Sequence, residues 1–231
     1  MYLERVRSVM ACWTTRSAAI IIVLTCSLLR LAIAQPAPQA VSPLFDFDFR
    51  GYGSQNTVDS VSGNVATAEG GATRSGTGIL LASTTKGEDV VTITGGLGTG
   101  TISGDTTIEA LVRIVAFPTP VGVASLAYSY IFECGVDTNQ DTVALMIKSS
   151  DGVTGSVYLR VVDGTLGAGG TITIIEATQH TIELDTWVHI VGTMGVSEVK
   201  LYINGEGTAP HASPRAPNDV ARPKCWIGNS A

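Results

Sequence analysis

The sequence predicts an all-β protein built as a sandwich or barrel of short strands. Its apolar and polar residues alternate in short runs, of which FDFDF is the first and CWIG the last. No segment shows a sustained apolar period of 3.6 residues, and 26 glycines disfavour helices. Gly, Asn and Asp separate the runs, as expected for turns between strands. We expect a single domain, because neither an internal repeat nor a second domain boundary is visible.

Residues 1–34 have the layout of a secretory signal peptide. Arginines precede the apolar run SAAIIIVLTCSLL, and the following AIA supplies small residues at the cleavage positions. Arg30 interrupts the apolar stretch, whereas a membrane anchor needs about 20 unbroken apolar residues. We therefore predict cleavage after Ala34 and a secreted or extracellular-surface protein. Membrane attachment is expected only if the signal stays uncleaved.

The predicted mature chain is acidic. Residues 35–43, QPAPQAVSP, are predicted to form an extended linker, and the folded domain is predicted to occupy residues 44–231. Removing the leader, with its four arginines and one glutamate, changes the net charge from −6 to about −9. Binding to a phosphate backbone requires a basic surface, so this charge argues against nucleic acid as a partner.

Two cysteines remain once the leader is removed. Cys134 and Cys225 each adjoin an apolar strand-like run, in YIFECG and KCWIGN. In an oxidising compartment they are candidates for one disulfide, and two buried thiols are the alternative. No CxxC pair or His–Cys cluster indicates a zinc site.

The stretch DTWVHIVGTMGVSEVKLYINGEG predicts an antiparallel hairpin with one buried face. The residues expected on that face alternate along both strands: Val188, Ile190, Gly192, Met194, Val199, Leu201 and Ile203. Asn204-Gly205 predicts a tight turn, because both residue types tolerate positive φ. Trp187, Tyr202 and His189 are expected to pack within the sheet, and a sugar-stacking role for the two aromatic rings is the alternative.

The ordered set of runs resembles the laminin-G-like branch of the concanavalin A-like lectin/glucanase superfamily. The matching pieces are FDF, DSVSGN, TIEALVRI, YIFECGVDTNQDTVALMI, DTWVHIVGTMG, VKLYINGE and CWIGNS, over residues 44–231. Leu111 stands where the family strand usually has Trp. The resemblance implies a jelly roll of two antiparallel sheets. Because the family continues with another strand pair after the last piece, the resemblance also implies a C-terminally incomplete domain without its closing strands.

The resemblance leaves an enzymatic function open as the less favoured class. Some superfamily members are glycoside hydrolases or lyases, and the hydrolases need two carboxylates facing one cleft. In those enzymes an E-x-D-x-x-E strand supplies them. The nearest match here is Glu183-x-Asp185, with Val188 in the last acidic position. Because valine cannot donate a proton, we expect no catalytic activity.

The favoured class is a non-catalytic recognition module for an extracellular glycan or protein ligand. Pentraxin relatives of this fold bind calcium, and Asp141 resembles the first ligand of that site, while Thr142 replaces the second. Asp137 and Asn139 supply further oxygens nearby. The resemblance therefore implies a weak, incomplete calcium site, and a solvated acidic turn is the alternative. The sequence fixes neither the ligand nor the oligomeric state.

Overall fold

In a computed structural model the chain forms two antiparallel β-sheets with a jelly-roll-like arrangement, which confirms the predicted fold class. The structure describes residues 2–4, 56–58, 64–75, 78–81, 89–97, 102, 105–117, 127–137, 139–195, 198–209 and 217–228. The predicted FDFDF strand, the predicted linker and nearly all of the predicted leader lie outside these residues. Within the described ranges, no helix has the length and hydropathy that a membrane span requires.

Sixteen strands are found in the described residues, and their bounds follow in chain order. They are Tyr2–Glu4 (β1), Asn56–Val58 (β2), Val65–Glu69 (β3), Thr73–Ser75 (β4), Gly78–Leu80 (β5), Val90–Ile93 (β6), Thr106–Arg113 (β7), Ala127–Gly135 (β8), Val143–Ser149 (β9), Thr154–Asp163 (β10), Thr171–Glu176 (β11), Ile182–Glu183 (β12), Trp187–Met194 (β13), Val199–Ile203 (β14), Glu206–Gly207 (β15) and Lys224–Gly228 (β16).

The strands form two sheets, here called sheet A and sheet B. Sheet A has the order β15-β14-β13-β7-β1-β5-β4. Sheet B has the order β11-β10-β9-β8-β16-β6-β3-β2, and β12 pairs with the first residues of β10. Some neighbours are consecutive in the sequence, such as β13 and β14, whereas others, such as β8 and β16, are far apart in it. Strand β11 is the terminal strand of sheet B among the described residues.

The core lies between the two sheets and is built by strands with one buried face. In β13 the burial alternates along the strand, with Val188, Ile190 and Met194 buried and His189 half-exposed. Gly192 faces the same core, and a Cβ at that position would lie 3.2 Å from the Cδ2 of Leu159 in β10. The small residue therefore lets the two sheets approach closely.

The predicted hairpin is confirmed as β13 and β14, with its buried face as expected. Ile190 pairs with Ile203 and Met194 with Val199. The turn that follows β14 has positive φ at both predicted positions, 52° at Asn204 and 85° at Gly205. The side chain of Asn204 also accepts a hydrogen bond from the backbone N–H of His189 at 2.9 Å.

The first described strand lies within the predicted leader. Strand β1 pairs with β5 on one side and with β7 on the other, where Leu3 is opposite Ile79 and Val112. It is therefore a central strand of sheet A in this structure. Cleavage after Ala34 stays a prediction, and it would remove this strand.

Candidate functional site

The three predicted calcium ligands lie in one loop between β8 and β9, but each side chain contacts a different protein group. Asp137 is 65% exposed, and its Oδ1 lies 3.4 Å from the Nζ of Lys224. The Oδ1 of Asn139 accepts a hydrogen bond from the guanidinium of Arg160 at 3.0 Å. Asp141 is buried and has a positive φ of 48°.

The side chain of Asp141 stabilises the loop itself. Its Oδ1 accepts hydrogen bonds from the backbone N–H of Gly164 at 2.9 Å and from the Nδ2 of Asn218 at 2.7 Å. Among the residues that the structure describes, no group of three or more His, Cys, Asp or Glu side chains is placed to hold a metal. The loop as arranged does not fit the 6–8 oxygen ligands of calcium. Calcium binding stays a prediction.

Arg222, which the sequence did not single out, connects this loop to the segment before β16. Its side chain is 1% exposed, and its hydrogen bonds within the described part of the chain are donated to backbone carbonyls. The acceptors are the carbonyls of Asp141, Ile102, Val220 and Asn218. Burial lowers the pKa of the Arg222 guanidinium, and the nearby charge of Asp141 opposes that shift. A buried cation surrounded by carbonyls in this way supports the fold rather than a ligand.

The two cysteines form a disulfide in the structure. Cys134 in β8 and Cys225 in β16 are opposite each other on adjacent strands, with their Cα atoms 4.0 Å apart. Both residues are buried. The bond joins strands whose cysteines are 91 residues apart, so it closes a large part of the domain into one loop.

The outer face of sheet B carries a cluster that we call the tyrosine patch, formed by Tyr128, Lys148, Tyr158 and Glu176. The rings of Tyr128 and Tyr158 meet edge to face, with their centroids 6.2 Å apart. The Nζ of Lys148 donates a hydrogen bond to the hydroxyl of Tyr158 at 2.8 Å and lies 5.0 Å from the centre of that ring. The same hydroxyl hydrogen-bonds to Glu176. Tyr128 is 39% exposed, so its ring is open to solvent.

The contacts in the tyrosine patch set the protonation states of Tyr158 and Lys148. Burial and the hydrogen bond to Glu176 raise the pKa of Tyr158, although the bond from Lys148 opposes this. The hydrogen bond to Tyr158 raises the pKa of Lys148. At neutral pH Tyr158 is therefore neutral and Lys148 charged. A tyrosine that removes a proton from a substrate needs a pKa near the working pH, which is the opposite shift.

The outer face of sheet A carries a second set of polar and aromatic side chains. The Nε2 of His189 lies 2.8 Å from the Oε1 of Glu109, and about a third of each side chain is exposed, 34% and 31%. Trp187 lies beside them, with the guanidinium carbon of Arg113 at 5.7 Å from its ring centre. Trp187 therefore packs on the sheet surface against a cation and is only partly buried.

The residues nearest to the hydrolase motif do not face one cleft. Glu183 lies in the short strand β12, and Asp185 in a turn with a positive φ of 58°. Val188, in the last position of the motif, is 3% exposed and points into the core. A carboxylate at this position would be buried between the sheets.

A laminin G family model of the concanavalin A-like lectin/glucanases superfamily matches residues 85–231. The matched segment covers more than half of the chain and contains β6 to β16. The chain belongs to this superfamily. The resemblance noted in the sequence is therefore confirmed at the level of family and fold.

The chain also resembles solved structures. No curated protein matches the chain significantly. The chain is similar to the crystal structure of the marine PL7 alginate lyase AlyA1 from Zobellia galactanivorans, with a TM-score of 0.38 and 16% identity. The match covers 84% of this chain and 75% of that one. At this TM-score and identity the likeness carries no argument about function.

The tyrosine patch was missed because its members come from four strands. Alternation along β9 and β10 places Lys148, Tyr158 and Arg160 on outward faces, and this much is visible in the sequence. The pairing that brings Tyr128 opposite Lys148, and Tyr158 opposite Glu176, depends on strand register. Sequence alternation alone does not fix the register between strands.

Proposed function

We propose that this protein is a secreted, non-catalytic recognition module that binds an extracellular glycan through the tyrosine patch. The observation that carries the proposal is the exposed ring of Tyr128, packed against Tyr158 beside a fixed cation and a fixed carboxylate. A sugar presents an apolar C–H face and directional hydroxyl groups. The patch offers a surface complementary to both.

The internal contacts of the patch favour binding because they hold its polar groups in place. Lys148 and Glu176 each bond to the hydroxyl of Tyr158. A ligand therefore meets side chains that are already positioned, and less conformational entropy is lost when it binds. An aromatic anchor with a few placed polar groups is the usual composition of a small-ligand site.

The carboxylates on this face support a non-catalytic role. Glu133 is in β8 and is buried, whereas Glu176 is in β11, and β9 and β10 separate these two strands of sheet B. Three strand spacings of about 4.8 Å place their strands about 14 Å apart. The two carboxyl groups of a hydrolase lie no more than about 9.5 Å apart. The raised pKa of Tyr158 also argues against its use as a base.

A binding titration tests the proposal directly. The secreted protein is titrated with neutral oligosaccharides (cello-, xylo- and manno-series), with uronate oligosaccharides and with extended peptides. We expect one oligosaccharide class to bind, and Tyr128→Ala to weaken that binding at least tenfold. Val153→Ala serves as the matched control, because Val153 is 61% exposed and lies outside the patch. Binding of peptides alone, or equal sugar binding by the Tyr128→Ala variant, would contradict the proposal.

Within the described part of the chain, the pair formed by His189 and Glu109 favours an enzyme instead. A histidine held 2.8 Å from a carboxylate on an open face has the geometry of an acid–base pair. If this class were correct, the same oligosaccharides would be cleaved, and Glu109→Gln and His189→Gln would each abolish product formation. We expect no products from the wild-type protein.

A further inference from the structure

Among the residues that the structure describes, the edge of sheet B at β11 has the properties of an unprotected strand. The strand reads TITIIE, and its first five residues include neither a charge nor a proline. Ile172 and Ile174 point away from the core and are each 46% exposed. Proteins usually protect an exposed edge with charges, proline, a bulge or a short strand, because an open edge pairs with other chains.

We propose that two copies of this protein pair through β11, antiparallel and about a two-fold axis at Thr173. In that register each Ile172 lies opposite Ile174 of the second copy, and the β-branched side chains meet in cross-strand pairs. Glu176 then lies opposite Gly170, so no like charges face each other. The strand is therefore complementary to itself, which favours a second copy over an unrelated partner.

The dimer is expected to be weak and dependent on concentration. The interface consists of a pair of six-residue strands with two exposed isoleucines from each copy. Its buried surface area is smaller than the ~1,200 Å² that is the lower bound for stable protein–protein interfaces. The dissociation constant of the dimer is therefore expected to lie in the micromolar range or above. In the dimer sheet B continues from one copy to the other, and the two β10 strands are separated by about three strand spacings, or ~14 Å. Both tyrosine patches then lie on one continuous sheet.

Sedimentation velocity of the secreted protein, from about 5 to 500 µM, measures this association. We expect a monomer–dimer equilibrium, and we expect Ile172→Lys and Ile174→Lys to raise the dissociation constant at least tenfold, because each change places charges at the paired edge. Val153→Lys is the matched control, since it replaces an even more exposed valine outside β11. A monomeric wild type at 500 µM, or equal weakening by the control, would overturn the proposal.

A cross-linking variant tests the register without disturbing the exposed isoleucines. The axis at Thr173 places this residue opposite Thr173 of the second copy, with the two Cα atoms about 4.5–5.5 Å apart. This separation is within the range that a disulfide can bridge. Oxidised Thr173→Cys should run as a covalent dimer on a non-reducing gel, and Val153→Cys should remain monomeric. If the Thr173→Cys protein stays monomeric after oxidation, or if both variants cross-link equally, the β11 pairing is wrong.

Discussion

The Nε of Arg222 donates a hydrogen bond to the backbone carbonyl of Asp141 at 2.9 Å, across 81 residues of sequence. This contact joins the loop that resembles a calcium site to the segment before the last strand. The loop is therefore held by protein donors from two sides, by Arg222 on its backbone and by Gly164 and Asn218 on its carboxylate.

Replacement of Arg222 is predicted to destabilise the fold strongly. Arg222→Met keeps most of the side-chain length but leaves two buried carbonyls, those of Asp141 and Ile102, and two partly buried ones without their donor. Each buried carbonyl left unpaired costs about 1–3 kcal/mol. We expect a loss of about 3–5 kcal/mol in the free energy of unfolding, measured with urea. Arg160→Met is the control, because Arg160 is partly exposed and its change should cost under about 1 kcal/mol. Equal losses in both variants would contradict a special role for Arg222.

Calcium is predicted to bind weakly, with a dissociation constant in the millimolar range or above. The carboxylate of Asp141 already accepts two hydrogen bonds, so binding would have to displace them. Asp141→Ala should therefore reduce stability by about 1–3 kcal/mol rather than remove a tight site. Calorimetric titration measures calcium binding and urea unfolding measures stability, and the exposed Asp137→Ala is the control for the stability measurement alone. A submicromolar site lost in Asp141→Ala, with stability unchanged, would disprove this.

Loss of the disulfide is predicted to cost about 3–5 kcal/mol, because Cys134 and Cys225 close a loop of 91 residues. The double replacement by alanine should show this loss in urea unfolding. Thiol labelling of the native and the denatured wild-type protein provides the control, and it should detect no free thiol from these two residues. Two thiols that react only after denaturation would show that the cysteines are buried but not joined.

Asp151 is predicted to make the stability depend on pH in the acid range. Hydrogen bonds from the backbone of Thr154 and Val153, and from the Thr154 hydroxyl, lower its pKa far below 3.8. A lowered pKa stabilises the folded state above the unfolded value of about 3.9, and this stabilisation is lost as the pH falls toward the folded value. Wild type should therefore exceed Asp151→Asn in unfolding free energy at pH 7, with a smaller difference at pH 2. A constant difference would contradict this assignment.

Local features of the fold were predictable because their causes are local. The faces of β13 and the Asn204-Gly205 turn follow from alternation and from the backbone freedom of two residue types. The sheet order and the tyrosine patch were not predictable in this way, since they depend on pairing between distant strands such as β8 and β16.

Asp141 shows why candidate sites are harder to predict than strands. A carboxylate in a turn can bind a cation, or it can accept hydrogen bonds from nearby N–H groups. The sequence around Asp141 is compatible with both uses. In the structure the Asp141 carboxylate accepts a hydrogen bond from Asn218, which is 77 residues away in the sequence, and calcium binding stays a prediction. Arg222 is a similar case, since nothing in RPKCWIG distinguishes a buried arginine from a surface one.

The position of β1 links the processing of the chain to the architecture of sheet A. Strand β1 provides the described connection between β7 and the β4–β5 hairpin. If the leader is removed after Ala34, strands β5 and β7 lose the neighbour that lies between them. Their backbone groups that faced Tyr2–Glu4 must then bond to other partners or to water. The precursor and the processed protein would then differ in amide-exchange protection along β5 and β7, the two strands that flank β1. Hydrogen exchange along these two strands would report whether the leader has been removed.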